Sequence, residues 1–376
     1  MSVPHSATGA HGAAVLQAPR KDMPEQNMLA PLRRLFAATV VLILAAAVIY
    51  SMLAWNQVRR DQLAKLQHFS EIIARSSGKA FDAYLLSLRW FAPRLVEPMR
   101  DGRVEDVNRL LREYQASDAT VVGVTVLAPD GLLVASTLAR HEADTPFNVK
   151  ALTAGASDGF KQMLDGGGPM VMQTILPHLS KEWAIPLRYP VRDDAGNLRF
   201  IVSVLLSTER LGKTWQALSA PDGTVFLLAR SDGHRQLRVP APANPEAFYG
   251  KPSNTGVAAA MMATPGQRSG VYEANRTTDA TSAIGAYTRL DNYPLAAAVS
   301  VPQRQLWMAW MDQVTVPLGV FAALLLGLVA ANANARAIQN RISREQGANA
   351  DMLRDIEKHV SLALEGAALA TWDWRA

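Results

Sequence analysis

The sequence predicts an α+β chain: two sheet-bearing subdomains follow one long helix, and a transmembrane helix stands at each end of that region. Three observations carry this reading. Two uncharged apolar runs stand about 258 residues apart. A 3.6-residue apolar period begins directly after the first of them. Beyond that period come two sets of five β-type runs, separated by turn residues.

The first apolar run, Leu35 to Trp55, holds no charge over about 21 residues, enough at 1.5 Å per residue to cross a hydrocarbon core of about 30 Å. It is too long, and too far from the start of the chain, for the h-region of a cleaved signal peptide. The second run, Val314 to Ala331, follows Trp307 and Trp310, which suit an interfacial position. Arg336, Arg341 and Arg344 lie beyond it, against Arg304 alone shortly before it. Arg20, Lys21, Arg33 and Arg34 precede the first run, while Arg59, Arg60 and Lys65 follow it. This balance places both termini inside and the loop of 56–313 outside the cytoplasm. Residues 1–34, rich at first in Ala, Gly, Ser, His and Pro, are read as a disordered cytoplasmic tail.

Within the loop, Leu66, Phe69, Ile73, Ala80, Tyr84, Leu88, Phe91 and Leu95 form the apolar stripe of one long amphipathic helix. Pro93 and Pro98 mark its end, and Asp101-Gly102 turns into a second helix carrying Val107, Leu110, Leu111 and Tyr114. Val121 to Leu127 and Leu132 to Ser136, joined by Ala128-Pro129-Asp130-Gly131, read as a hairpin. A helical stretch over 160–164 ends at Gly166-Gly167-Gly168. Strands are expected at Met170 to Leu176, Trp183 to Val191 and Leu198 to Leu206. The second set is Thr224 to Arg230, Gln236 to Val239, Gly270 to Ala274, Ala283 to Leu290 and Leu295 to Val301.

The chemistry of composition is mostly exclusionary. With no cysteine among 376 residues, disulfides, thiolate metal sites and cysteine nucleophiles are ruled out. The net charge of +5 is spread along the chain rather than gathered in a basic stripe, so no nucleic-acid partner is expected. No Gly-Gly-Asp/Glu-Glu-Phe turn, P-loop or HExxH helix is present, and neither a catalytic residue, a metal nor a cofactor is expected. Gly166-Gly167-Gly168 lacks the lysine and helix start of a phosphate loop. His178, Lys181 and Glu182 form a polar cluster without a nucleophile, and His359 lacks the surroundings of a phosphoacceptor.

The order of these pieces resembles the double Cache family of extracytoplasmic sensor regions, in which two PAS-like subdomains stack on a helix rising from the membrane. The hairpin V-x-V-x-x-P-D-G-x-x-x-A-S runs from Val124 to Ser136. W-A-I-P-L-R-Y-P-V begins at Trp183, and F-I-V-S-V at Phe200. L-x-R-S-D-G spans Leu228 to Gly233, S-G-V-Y spans Ser269 to Tyr272, and Y-x-x-L-D-N-Y-P-L-x-x-x-V-S-V-P spans Tyr287 to Pro302. The resemblance covers 57–302. It implies a distal subdomain at about 57–215, a proximal one at about 219–302, and a multi-pass receptor of the bacterial inner membrane with a periplasmic or extracellular sensor loop. It also implies a small-molecule ligand in the distal subdomain, against the inner face of its sheet. The aromatic and acidic constellation that grips an α-amino acid in some members is not evident here.

The candidate ligand residues are Trp183, Arg188 and Tyr189, a guanidinium fork for a carboxylate or other anion between two aromatic rings. A period of two puts Trp183 and Tyr189 on one strand face, where core packing competes with a ligand role, and would turn Arg188 to solvent. After the second span, Ile338, Ile342, Met352 and Ile356 follow a 3.5-residue repeat with Asn349 on the seam, which predicts a parallel homodimeric coil over 332–361. Leu362 to Trp374 resembles the opening of a cytoplasmic PAS domain, running from a helix into a first strand. That likeness implies a longer parent with a diguanylate cyclase or histidine kinase output. A membrane-anchored extracytoplasmic enzyme or an adaptor protein is the alternative.

Overall fold

The computed structural model describes residues 29–138, 160–177, 180–275 and 282–372, with side chains over 31–138, 160–177, 180–273 and 282–364. His178 and residues 276–281 lie outside the described residues. The chain divides into two compact units, one of 1–53 with 314–376 and the other of 54–313.

Helix α1 runs unbroken from Leu29 to Phe91, so residues 29–34, assigned above to the tail, form its first turns. Helix α8 spans Gln303–Trp372 and contains Pro317. The two are long and apolar enough to cross a membrane. Val41, Leu42, Val48, Val316 and Leu326 are exposed along them, an arrangement suited to lipid and costly in water. In that unit Tyr50 of α1 meets Phe321 of α8, ring centroids 6.4 Å apart.

The unit of 54–313 holds two antiparallel five-stranded sheets. Helix α1 gives way to a 3-10 turn at Ala92–Leu95 and a short α2 at Val96–Arg100, because Pro93 and Pro98 each lack an amide hydrogen. Helix α3 is Val104–Ser117 and buries Val107 and Leu111. The distal sheet comprises β1 (Val121–Leu127), β2 (Leu133–Ser136), β3 (Met170–Val171), β4 (Ala184–Arg192) and β5 (Leu198–Ser207) in the order β2-β1-β5-β4-β3. Helix α5 (Thr208–Gln216) starts on Ser207, whose hydroxyl accepts the Arg210 amide. The proximal sheet comprises β6 (Val225–Arg230), β7 (Arg235–Val239), β8 (Ser269–Asn275), β9 (Ser282–Arg289) and β10 (Leu295–Pro302) in the order β7-β6-β10-β9-β8. Both sheets therefore share one layout, with the last-made strand at the centre.

All ten expected strands form, but β3 is shorter than the expected Met170 to Leu176. After Val171 the chain keeps the Met172 amide bond to the Pro186 carbonyl and a bridge from Ile175 to Ala184, while the Met172 carbonyl and the Thr174 hydroxyl bond to the second subdomain.

One face of each sheet packs on α1. Leu66, Ile73, Phe81, Leu88 and Leu95 of the helix region share a core with Ile185, Leu187, Val202 and Val204 of the distal sheet and Ala286, Ala297 and Val299 of the proximal one. Phe69 meets Phe226 and Phe81 meets Tyr293, whereas Phe91 meets Tyr114, so α1 serves the proximal sheet first and the distal sheet near its end. Phe81, absent from the expected stripe, is buried in its place beside the half-buried Ala80.

The opposite faces are covered by the same device twice. In the distal subdomain the helical segment α4 (residues 160–164) lies before β3, and Arg192, the last residue of β4, donates from Nη2 to the Met163 carbonyl at 2.5 Å and the Gly167 carbonyl at 3.1 Å. In the proximal subdomain, after the short α6 (Pro245–Tyr249), helix α7 (Val257–Ala263) lies before β8. There Arg289, the last residue of β9, donates to the Met261 carbonyl at 2.7 Å and the Gln267 carbonyl at 2.9 Å. Each arginine satisfies carbonyls at a helix end while fixing that helix over its sheet.

Candidate functional site

Strand register defines what the sheet faces away from α1 present. In the distal sheet Arg188 stands opposite Met170 of β3 and Ser203 of β5, Ser203 opposite Thr125 of β1, and Thr125 opposite Ser136 of β2. Directly opposed residues share a face, so one row, Ser136, Thr125, Ser203, Arg188 and Met170, crosses all five strands. Their strand neighbours Ala135, Val124, Val126, Val202, Val204, Leu187 and Val171 belong to the α1 core, which places the row on the other face. Apolar clusters flank it: Leu127, Phe160, Met163, Met172 and Ile201 form one, and Val122, Ala184 and Leu205 the other.

The proximal sheet makes a telling contrast at its corresponding face. There the row is Gly270, Tyr287, Ala298, Leu227 and Arg238. Tyr287 is buried, packs with Val257 and Met261 of α7, and shares a hydrogen bond of 2.7 Å with the Thr264 hydroxyl. The Tyr287 ring lies over Gly270, and the Tyr272 ring over Gly285 on the neighbouring strand, each ring occupying the room a Cβ would need. This face is filled by its own side chains.

Arg188 is the exceptional group of the distal row. It is only 5% exposed, and its Nε and Nη1 are buried without a hydrogen-bond partner. No carboxylate pairs with it among the described residues. Burial alone lowers its pKa to about 10, so the guanidinium remains protonated at neutral pH. A buried, charged and unsatisfied fork costs several kcal/mol in an ordinary core, on the order of the penalties for unpaired buried ions. Such a group marks a place where an anion can supply the missing acceptors.

The three residues singled out from the sequence separate in space. Arg188 faces the row, not solvent. Tyr189 is half-buried and packs against the α1 core on the opposite face. Trp183 precedes β4 and stacks on Tyr249 of α6, centroids 4.9 Å apart, while its carbonyl accepts the Thr208 amide at 3.0 Å. Sequence reasoning missed Thr125, Ser136 and Ser203, because their alignment with Arg188 follows from strand order, which periodicity along one strand does not reveal. Of the tempting polar cluster, Lys181 adopts φ 53° in the bend before β4, and Glu182 accepts hydrogen bonds from the Ser207 hydroxyl and, at 3.4 Å, from Arg210. Glu182 thus supports the start of α5.

Neither a family model nor a curated protein matches the chain. Among solved structures, the ligand-binding domain of the Pseudomonas aeruginosa PAO1 amino acid chemoreceptor PctB, in complex with L-Arg, aligns with a TM-score of 0.50 at 16% identity, covering 65% of this chain and 97% of that one. The region shares the fold of that ligand-binding domain. Two further double Cache-like alignments are looser. The extracellular domain of rpHK1S-Z16, assigned as a histidine kinase, gives a TM-score of 0.47 at 14% identity over 66% of this chain and 97% of its own. The ligand-binding domain of the Campylobacter jejuni chemoreceptor Tlp3, in complex with L-valine, gives 0.43 at 14% identity over 68% and 98%. In this chain one sheet face is closed by tyrosines and the other holds a buried arginine with two unpartnered nitrogens.

Proposed function

We propose that the chain is the sensing part of a transmembrane receptor whose distal subdomain binds a small anion at Arg188. The observation that carries this reading is the buried guanidinium with two unpartnered nitrogens, set in a row of hydroxyl side chains on a sheet face flanked by apolar clusters. Such a surface suits a small carboxylate or another oxyanion, with Arg188 as the fixed fork and Ser203 and Thr125 as hydroxyl neighbours. The row contains no carboxylate to meet an α-ammonium group, so it favours an anion without one.

The two apolar helices anchor the protein in the bacterial inner membrane, with both termini inside and 56–313 in the periplasm or outside the cell. Two copies associate in parallel through the heptad seam after the second span, and the signal passes to a cytoplasmic PAS and output module of the cyclase or histidine kinase kind. Occupancy shifts the dimer between two states by its differential affinity for them.

The test is calorimetric titration of the full chain in detergent micelles with small carboxylates, inorganic phosphate and sulfate. At least one anion binds, and Arg188→Ala weakens it at least about tenfold, which is about 1.4 kcal/mol. Equal affinity in the folded variant removes Arg188 from the site.

A further inference from the structure

The edge of the distal sheet is shared with the proximal subdomain. Met170 faces the Arg188 row and stands directly opposite Arg188, and Met172 belongs to the apolar cluster on the same face. The Met172 amide keeps its bond to the Pro186 carbonyl of β4, but other groups of the stretch bond to the proximal subdomain. The Val171 carbonyl accepts from Arg230 Nη1 at 2.6 Å, and the Met172 carbonyl accepts from Gln236 Nε2 at 2.7 Å. The Thr174 hydroxyl engages Gln236 twice, at its carbonyl at 2.8 Å and at its side-chain oxygen. Gln173 Nε2 donates to the Tyr249 carbonyl at 3.3 Å. Arg230 is at the end of β6 and Gln236 within β7.

Gln236 is fully buried and Thr174 is 2% exposed, so water cannot replace these bonds if the segment slides. Both ends of the Gln236 amide are taken by one short stretch of chain. Displacing that stretch relative to β7 breaks several bonds at once, whereas moving β7 with it keeps those to Gln236. A buried polar link of this kind makes the two elements move together.

We propose that residues 170–174 form a relay strand through which occupancy at Arg188 is felt in the β6–β7 hairpin, with Gln236 as the coupling residue. The proposal rests on the anion reading of Arg188 and adds its regulation: the site's own wall is held by the other subdomain. By reciprocity, whatever shifts the hairpin also changes anion affinity.

The test uses the full chain in detergent micelles and reads hydrogen exchange of amides over 225–239. Without any ligand, Arg188→Gln changes those rates by about threefold or more in the parent chain and by less than about 1.5-fold in a Gln236→Leu background, the non-additivity expected of coupled sites. An equal effect in both backgrounds overturns the relay. Thr174→Val cuts the same link from the distal side and serves if Gln236→Leu does not fold. Sodium propionate, a monocarboxylate with a short apolar body, then separates the two readings. If it binds and slows exchange over 225–239 only when Gln236 is present, the relay stands. If it slows the hairpin alike in both chains, the relay falls and the anion site stands. If propionate does not bind, the site reading fails for monocarboxylates, and the relay is decided by the ligand-free comparison alone.

Discussion

Replacing Arg188 with methionine should make the empty protein more stable. Burial holds its pKa at about 10, well below the ordinary arginine value, and that lowering reflects the cost of keeping the guanidinium charged inside the fold. At 1.36 kcal/mol per pKa unit, that cost is about 3 kcal/mol. Methionine keeps the unbranched stem in place and discards the charge, and swaps of buried ionic for apolar groups typically return about 1–4 kcal/mol. For a unit of this size, 1 kcal/mol moves Tm by about 2–4 °C, so recovering the cost of about 3 kcal/mol should make Arg188→Met melt about 6–12 °C higher. The assay is a far-ultraviolet circular dichroism melt of both full chains in the same detergent at neutral pH. Because the folded pKa lies below the unfolded one for a cation, the cost is fully present below pH 10 and is relieved only as pH climbs from there toward 12.5. The difference between the two chains should therefore be flat from pH 6 to 9. An anion at about one hundred times its Kd should stabilise the parent by about 2.7 kcal/mol and leave the variant unmoved. A variant that melts lower than the parent would refute the reasoning, since the arginine would then be a satisfied structural group.

Three further outcomes follow from other parts of the molecule. The Tyr84 hydroxyl donates to Asp118 at 2.8 Å, and burial with that carboxylate pushes its pKa from 10.0 up to about 12; the bond's contribution is present below pH 10 and lost as pH rises through 12. Tyr84→Phe should cost about 1–2 kcal/mol by urea denaturation at pH 8 and almost nothing above pH 12. Gly285→Ala drives a methyl group into the Tyr272 ring and should cost about 1–3 kcal/mol by the same measurement, with a smaller cost in a Tyr272→Ala background. An alkaline-phosphatase fusion should be active at Ser219 and inactive at Gln346, and the reverse pair of results would invert the topology.

Much of the architecture was legible because its signals are local. The β-branched run Val121 to Leu127, the apolar run in Leu198 to Leu206, the turn at Pro129-Asp130-Gly131 and the stripe from Leu66 to Leu95 each announce an element without reference to the rest of the chain. The site was legible only in part. Arg188 stood out as a charge inside an apolar strand, and period two correctly opposed it to Tyr189. That it is buried rather than solvated depends on its place inside a closed sheet, between Ser203 of β5 and Met170 of the edge strand. Both neighbours are non-local. Trp183 looked like a pocket wall and is a junction residue, because its ring partner Tyr249 is 66 positions away (249 − 183). The shortening of β3 was hidden for the same reason: nothing in Met172-Gln173-Thr174 shows that its partners lie on β7.

The central place of β5 and β10 bears on how the chain is made. On the ribosome, β1 emerges long before β5, and β6 before β10, so neither sheet can close until its final strand has been synthesised. The long helix waits longest. Ser70 of α1 meets Thr288 of β9 across 218 positions of sequence, at 2.8 Å, and Phe69 awaits Phe226. Pairings of such range are slow, since the closure entropy falls due before the contacts form. The growing chain thus presents an apolar helical stripe with no partner for most of its synthesis, and the distal subdomain, complete at Gln216, is the first that can cover any of it. The partners of α1 are thus synthesised for its far end first (Tyr114 for Phe91) and for its earlier turns later (Phe226 for Phe69, Thr288 for Ser70), opposite to the direction of translation along that helix.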